Sequence, residues 1–494
     1  MTNQPVDLAA LARQEMIDHG FQPDLPAEAV RQAATARQTV DAGLKDLTAP
    51  LWSSIDNDDS RDLDQIEWAE RTGAGIRVLV AIADVDSAVP KGSPVDDHAA
   101  SETTTVYAQI RTFPMLPEQL STNMTSLNEG VPRVAVVIEM TVGGDGTIGA
   151  HSIYRALVRN RAQLTYSGVG AWLEGTGAMP PKVAASTELQ QQLQLQNEAA
   201  HLLRAARDRL GALTFDRAEL QATVDDGKVQ GIEGRRANTA SRLIEDFMIG
   251  ANEVMAQTLR AAGVASIRRV VKAPERWPRI VELAAHYGYE LPAEPDSGAL
   301  NRLLLERRKT DPDHFPDVSL SVLKLMGPGE YVAAKPGEEM PGHFGLAAQD
   351  YTHSTAPNRR FADLVTQRLL KALVARQPAP YTDAELDAIA GNCTLKEDNA
   401  RKVQRAMVKR LAAVALADRV GQKWAAVVTG VTPKGVFVRI AEPPVEGRLM
   451  RGEQGLDVGD RLQVTLLSTD AARGFIDFGS VPGSVSGSNS GGRR

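Results

Sequence analysis

Apolar and polar positions along the chain fall into four regimes. Over residues 1–48 the spacing is helical: Leu8, Leu11 and Met16 share a face of Val6–His19, and Pro26–Gly43 is alanine-rich. From Pro50 to about residue 160 the pattern predicts strands, at Ile76–Val85, Val134–Val142 and Ile153–Val158. Periodic stretches then predict helices over Thr187–Leu213, Asn238–Ala262, Pro357–Ala375 and Thr382–Arg419. Pro357 suits a first helical position. Near Gly421 the character changes again. Trp424–Gly430, Gly435–Ile440, Arg461–Leu467 and Gly474–Phe478 alternate with turns, over the length of a five-stranded OB barrel.

The predicted architecture is thus a small helical segment (1–48), an α+β domain (49–420), an all-β OB-fold barrel (421–480) and a Gly/Ser-rich tail (481–494) read as disordered. A helix-turn-helix is compatible with the first segment, but no specific signal marks one.

Composition narrows the class. The chain has 494 residues, 43% hydrophobic and 24% charged, as in ordinary globular proteins with sizeable cores. Its one cysteine, Cys393, rules out an intramolecular disulfide framework and suits a reducing cytoplasm. No apolar run reaches membrane-spanning length, and the N-terminus lacks a signal-peptide pattern. A net charge of −7 does not advertise nucleic-acid binding, yet leaves room for a local basic groove.

The candidate chemistry lies in Ile55–Glu67, which packs five aspartates into Asp56–Asp64. So much like charge repels itself unless a cation neutralises it, and hard divalent cations prefer carboxylate oxygens. The plain alternative is a solvated acidic loop. Against that, Ile55, Leu63 and Ile66 thread the cluster and strands follow it. The run imitates an EF-hand from Asp56 to Glu67, but Arg61 stands where that loop needs glycine, and a flanking helix is missing upstream. A second segment carries Tyr351, His353 and Pro357, then the adjacent arginines Arg359 and Arg360. Guanidinium groups at a helix start suit a phosphate. His343 and His353 have no zinc-type spacing and read as hydrogen-bonding groups.

The ordered motifs Ser54-Ile-Asp-x₅-Asp62-Leu-Asp64, Val80–Val85, Thr105–Tyr107, Phe113–Pro117 and Leu346-x₄-Tyr351-Thr-His-x-Thr355-x-Pro357-x-Arg359-Arg360 make the chain resemble the RNase II/RNase R family of 3′→5′ exoribonucleases. The catalytic module of that family is the RNB domain. The resemblance covers residues 50–375, and the barrel sits where the family carries an RNA-binding one. It implies that Asp56, Asp62, Asp64 and Gln65 hold metal, Mg²⁺ or Mn²⁺, with Asp64 and Arg359 catalytic. It also implies that Tyr107 and Phe215 stack the terminal bases, that Tyr166 and Glu245 meet the ribose, and that Arg359 and Arg360 meet phosphate. The expected partner is single-stranded RNA rather than DNA, degraded by a cytoplasmic monomer to nucleoside 5′-monophosphates.

Two departures matter. The family pattern Asp-x-Asp-Asp ends here in Gln65, which removes one negative charge. A non-catalytic RNA-binding protein is therefore the competing reading, whereas an endonuclease is disfavoured by end-stacking aromatics. Residues 1–48 also cannot hold the two cold-shock barrels that precede the family's catalytic domain, so the RNA entry path is expected to be built differently.

Overall fold

The computed structural model describes residues 6–40, 43–215, 219–225, 228–312 and 315–484. Two helices come first, α1 (Leu8–Asp18) and α2 (Ala27–Thr35). They are followed by β1 (Lys45–Asp56), β2 (Gln65–Thr72) and β3 (Gly75–Ala83). Helix α3 (Pro94–Glu102) and a small hairpin, β4 (Val106–Tyr107) and β5 (Thr112–Phe113), precede β6 (Pro132–Val142) and β7 (Ile148–Thr165). Next are α4 (Tyr166–Leu173), α5 (Pro181–Ala184), α6 (Thr187–Leu210), a hairpin of β8 (Glu219–Asp225) and β9 (Lys228–Arg235), and α7 (Thr239–Ala261). Strand β10 (Ser266–Val270), helices α8 (Trp277–His286), α9 (Ser297–Thr310) and α10 (Phe315–Leu325), and strand β11 (Glu330–Ala334) lead to α11 (Phe361–Val374) and α12 (Asp383–Ala415). The chain then forms β12 (Lys423–Thr432), β13 (Gly435–Ile440), β14 (Glu446–Arg451), β15 (Arg461–Asp470) and β16 (Phe475–Ser480).

Two closed barrels organise these elements. The first runs in the order β1-β2-β3-β6-β7 and closes by a parallel pairing of β1 with β7. Helices α6, α7 and α11 pack against it, so β3 and the adjoining parts of its neighbours are buried on both faces. Helix α6 also caps an open strand edge: the Gln192 amide donates to the Ala69 carbonyl and accepts from the Ala69 N–H. Such an edge would otherwise leave backbone groups unpaired. The second barrel has the order β12-β13-β14-β16-β15, with β14 parallel to β16. Its core includes Ala412, Ala413 and Leu416 from the end of α12, while Leu220 and Ile232 of the β8–β9 hairpin pack against it.

Several expectations shift. Helix α11 starts at Phe361 with Arg360 as its N-cap, so Pro357 lies in the preceding turn, where the Arg359 and Arg360 N–H groups donate to the Ala356 carbonyl. The helical pattern of the first segment ends at Thr35, and Lys45–Thr48 already belong to β1. The first residues of the segment expected to be disordered are held in place. Ser480 closes β16, the Val481 N–H donates to Gln463, and the Gln463 N–H donates to Ser484 Oγ; residues 485–494 lie outside the described residues. No helix among the described residues is long and apolar enough to cross a membrane.

Candidate active site

The acidic loop hangs between β1 and β2, stitched to the segment that follows α3 and the β4–β5 hairpin. The Leu63 N–H donates to Ser126 Oγ, and the Leu127 N–H donates to the Leu63 carbonyl. This anchoring fixes the loop from inside and leaves its carboxylates in different settings. Asp56 Oδ1 accepts from the Asn57 N–H (2.7 Å) and Ser60 Oγ (2.9 Å). Asp58 accepts from Ser167 Oγ at 2.6 Å, which ties it to α4. Asp62 accepts from the Tyr107 hydroxyl at 3.1 Å.

Asp64 is only 1% exposed. Its Oδ1 accepts from the Asn358 N–H at 3.0 Å, while Oδ2 is buried without a hydrogen bond and lies 3.4 Å from Arg359 Nε. Burial disfavours the ionised form and pushes this carboxyl up to about 7, against the pull of Arg359. Burial likewise raises Asp56, with the Asp62 charge adding to it. Gln65 opens β2 and is buried.

Arg359 reaches this floor because two chain segments are laced together. The Thr105 N–H donates to the Arg359 carbonyl, the Phe361 N–H donates to the Thr103 carbonyl, and Thr104 bridges Arg360. The lacing puts Tyr107 beside Arg359 in a cavity of about 240 Å³ that Arg360, Tyr331, His353 and Glu397 also line. Tyr107 keeps 39% of its surface open, and the Arg359 side chain 43%. Both are nonetheless walled by protein, enough that burial raises the Tyr107 hydroxyl. Groups open to water yet densely surrounded mark the floor of a recess.

The other expected residues divide. The Tyr166 ring opens α4 near Asp56 and Glu67, and burial raises its hydroxyl. Glu245 is exposed on α7, and desolvation together with the neighbouring Asp246 raises its carboxyl. Asp246 itself is ion-paired with Arg204 and Arg207. Arg360 is locked in a two-point contact with Asp363 (2.7 and 2.8 Å), so its guanidinium is already committed inside the fold. Phe215 is half-buried against the α8–α10 cluster around Trp277 and Phe315, and it does not line the cavity. The structure therefore does not bring the two stacking aromatics together there. His353 shares a 2.8 Å hydrogen bond with the Tyr331 hydroxyl, and His343 Nδ1 accepts from the Leu346 N–H. Burial keeps both rings neutral, His343 down to about 4.

Three wall residues escaped the sequence reading. Glu397, Arg401 and Gln404 of α12 line the cavity, and Arg269 holds Glu397. Their i, i+4, i+7 spacing was a usable signal, since such residues share a helix face. Asn358 was missed as well: its backbone N–H meets Asp64, and its Nδ2 is buried and unpartnered.

The donor set suits a hard divalent cation. Asp64 Oδ2 makes no hydrogen bond, and the Asp62 charge opposes those of Asp56 and Asp64. Among the described residues, no three His, Cys, Asp or Glu side chains are drawn together as a finished ligand cluster. The carboxylates are thus near neighbours along the loop rather than a closed cage.

A family model described as RNB domain matches residues 44–376, more than half of the chain. The chain belongs to the RNB-domain family. A second model, the RNase II-type exonuclease C-terminal S1 domain, matches residues 422–481. Ribonuclease R of Vibrio cholerae serotype O1 is 32% identical over 457 residues, covering 87% of this chain and 54% of its own length. The chain spans about half the length of the curated relatives it matches. Among solved structures, Mycoplasma genitalium RNase R in complex with ribose methylated single-stranded RNA superposes with a TM-score of 0.86 at 23% identity, covering 96% of this chain and 78% of that one. Yeast Ssd1, a pseudonuclease, has a TM-score of 0.72 at 17% identity, covering 94% of this chain and 59% of that one. These two likenesses are of fold.

Proposed function

We propose that this RNB-domain protein hydrolyses single-stranded RNA from the 3′ end and releases nucleoside 5′-monophosphates, with Mg²⁺ or Mn²⁺ as cofactor. The observation that carries the reading is the buried Asp64, whose Oδ2 makes no hydrogen bond and lies 3.4 Å from Nε of Arg359, a residue that lines a cavity together with Tyr107. Asp56, Asp62, Asp64 and Gln65 are the residues that would hold the cation. When bound it supplies an activated water and charge neutralisation at phosphorus.

The rest of the chemistry belongs to the chain. The partly open Arg359 guanidinium is placed to donate to the scissile phosphate and stabilise its growing charge. Tyr107, oriented through its hydroxyl on Asp62, offers a ring to the last base, and stacking is indifferent to base identity. Tyr166 and Glu245 meet the ribose 2′-hydroxyl, which discriminates against DNA. Arg360, tied to Asp363, shapes the turn that presents Arg359. The second barrel adds affinity through its outer face, where Arg448 and Lys434 are exposed and Phe437 sits opposite Arg448 in the ladder. The protein acts as a cytoplasmic monomer.

Gln65 and the open carboxylate arrangement motivate a second reading, a non-catalytic RNA-binding protein with a degenerate metal centre. A time course on 5′-labelled single-stranded RNA, with Mg²⁺ or Mn²⁺ and with EDTA, separates the two. Stepwise shortening that EDTA stops supports the nuclease. Intact RNA that is nevertheless bound supports the alternative.

A further inference from the structure

Glu67 has no task in the reading above, yet its setting is unusual. It lies in β2, fully buried, and neither carboxylate oxygen meets a hydrogen-bond donor. Ser53 pairs with it directly across the ladder, and the Ser53 hydroxyl is also fully buried and unpartnered. Gln196 of α6 covers the same stretch, donating from Nε2 to the Glu67 carbonyl at 3.5 Å. An ionised carboxylate sealed in this way is strongly unfavourable without a counter-charge. A protonated one leaves its own O–H without an acceptor. A cation removes both penalties.

Its surroundings say which cation. The Asp56 carboxylate lies close enough for the two charges to repel each other. The Ser53 hydroxyl adds a neutral oxygen, so every nearby donor is hard. Alternation along β2 puts Gln65 and Glu67 on the same face, two positions apart. Where the family pattern places a carboxylate, this chain has Gln65, and a carboxylate recurs one step along the same face.

We propose that Glu67, with Asp56, ligates a divalent cation and replaces the carboxylate missing at position 65. This rests on the metal-dependent reading above, but it is tested without RNA. Full-length protein is stripped with EDTA and titrated with Mn²⁺, and separately with Mg²⁺, by calorimetry. Glu67→Gln keeps the shape of the neutral acid, and it should weaken binding about tenfold or more or remove one bound ion. The double variant Gln65→Asp/Glu67→Gln should recover most of the loss by returning the charge to position 65.

Unchanged affinity and stoichiometry in Glu67→Gln overturns the proposal, as does a wild-type protein that binds neither cation. Should Glu67→Gln fail to fold, Glu67→Asp reads the same titration, because it keeps the charge but withdraws it by one methylene; wild-type affinity there also overturns the assignment. RNA hydrolysis is scored separately. Wild-type protein that binds cation through Glu67 yet leaves RNA intact refutes the nuclease reading alone. Active wild-type protein whose Glu67→Gln form binds cation normally refutes this proposal alone.

Discussion

The two barrels have the same number of strands and opposite relations to water. In the second, β13 alternates strictly: Val436, Val438 and Ile440 point inward, while Phe437 and Arg439 stay half-open outside. In the first, Val78–Ala83 of β3 are buried without a break, because helices cover the outside. The consequence is chemical. The wrapped barrel holds Asp64, Glu67 and Asp84 at 1% exposure or less. Burial there changes proton affinity and strengthens every local charge interaction. The unwrapped barrel keeps Lys423, Lys434, Arg448 and Arg451 in water, where charges attract a polyanion diffusely. One layer of helices separates an open, basic outer face from a set of buried carboxylates.

Removing the buried charge should break the contrast most completely. Asp64→Asn is expected to lose RNA hydrolysis entirely while RNA affinity persists, since the outer face of the second barrel is untouched. Arg359→Ala should follow, with turnover down by about 10²–10³, the usual loss when one donor to developing charge is deleted. Single-turnover rates at saturating metal and RNA check both. Near-normal rates in Asp64→Asn would dissolve the proposed difference between the barrels.

A core truncation in the other barrel should sharpen the contrast by failing in a different way. Phe478 is fully buried and pairs with Leu449 and Leu466. Phe478→Ala should cost about 3–5 kcal/mol of that barrel's stability. Calorimetry should show its transition moving to lower temperature, with RNA affinity falling most steeply at high salt. Hydrolysis of a short saturating RNA should stay within a few-fold, because the cavity-lining residues of α12 end at Gln404, about two turns before the barrel's core begins at Ala412. Deleting the whole barrel at the boundary read from the sequence, between residues 420 and 421, is harsher than that boundary suggests. Ala412, Ala413 and Leu416 belong to the barrel's core and would be stripped bare.

The same contrast explains what was legible in the sequence. One-sided burial writes a period of two, so the second barrel was readable strand by strand, apart from Glu446–Arg451. Helix α6 was readable too from its pattern, although the expected end at Leu213 overran the real one, where Gly211 at a φ of 91° stops the helix after Leu210. Of the first barrel, β3, β6 and part of β7 were readable, whereas β1, β2 and the closure were not. Two-sided burial erases alternation, β2 looks like a charged surface strand, and closure pairs Asp56 with Thr165 across more than a hundred residues. In the candidate site, Asp56, Asp62 and Asp64 stood out as a dense acidic run and Arg359 through the resemblance, and the structure sets Asp64 beside Arg359. Arg360 drew a role from being beside Arg359, whereas its commitment to Asp363 needs coordinates. Glu67 was set aside with the EF-hand reading, and its complete burial follows from barrel closure, which the pattern does not show.

The smallest expected effect concerns the helices that make the first barrel different. Glu253 on α7 is half-buried, and burial pushes its carboxyl up to about 7, with Arg207 opposing. In the unfolded chain the same group titrates near 4.5. Below that pH both states hold the proton, and the folded state bears no penalty. As pH rises toward 7 the unfolded chain releases the proton first, so the folded state loses stability progressively until Glu253 ionises there as well. Glu253→Gln removes this titration. The variant should therefore match or slightly trail wild type at pH 4.5 and gain on it up to pH 7–8, by a few degrees in Tm. Thermal melts of the EDTA-treated protein across that range check the sign. Parallel curves for variant and wild type would mean that water reaches this carboxyl freely, and that the helical wrap excludes solvent less at α7 than at Asp64.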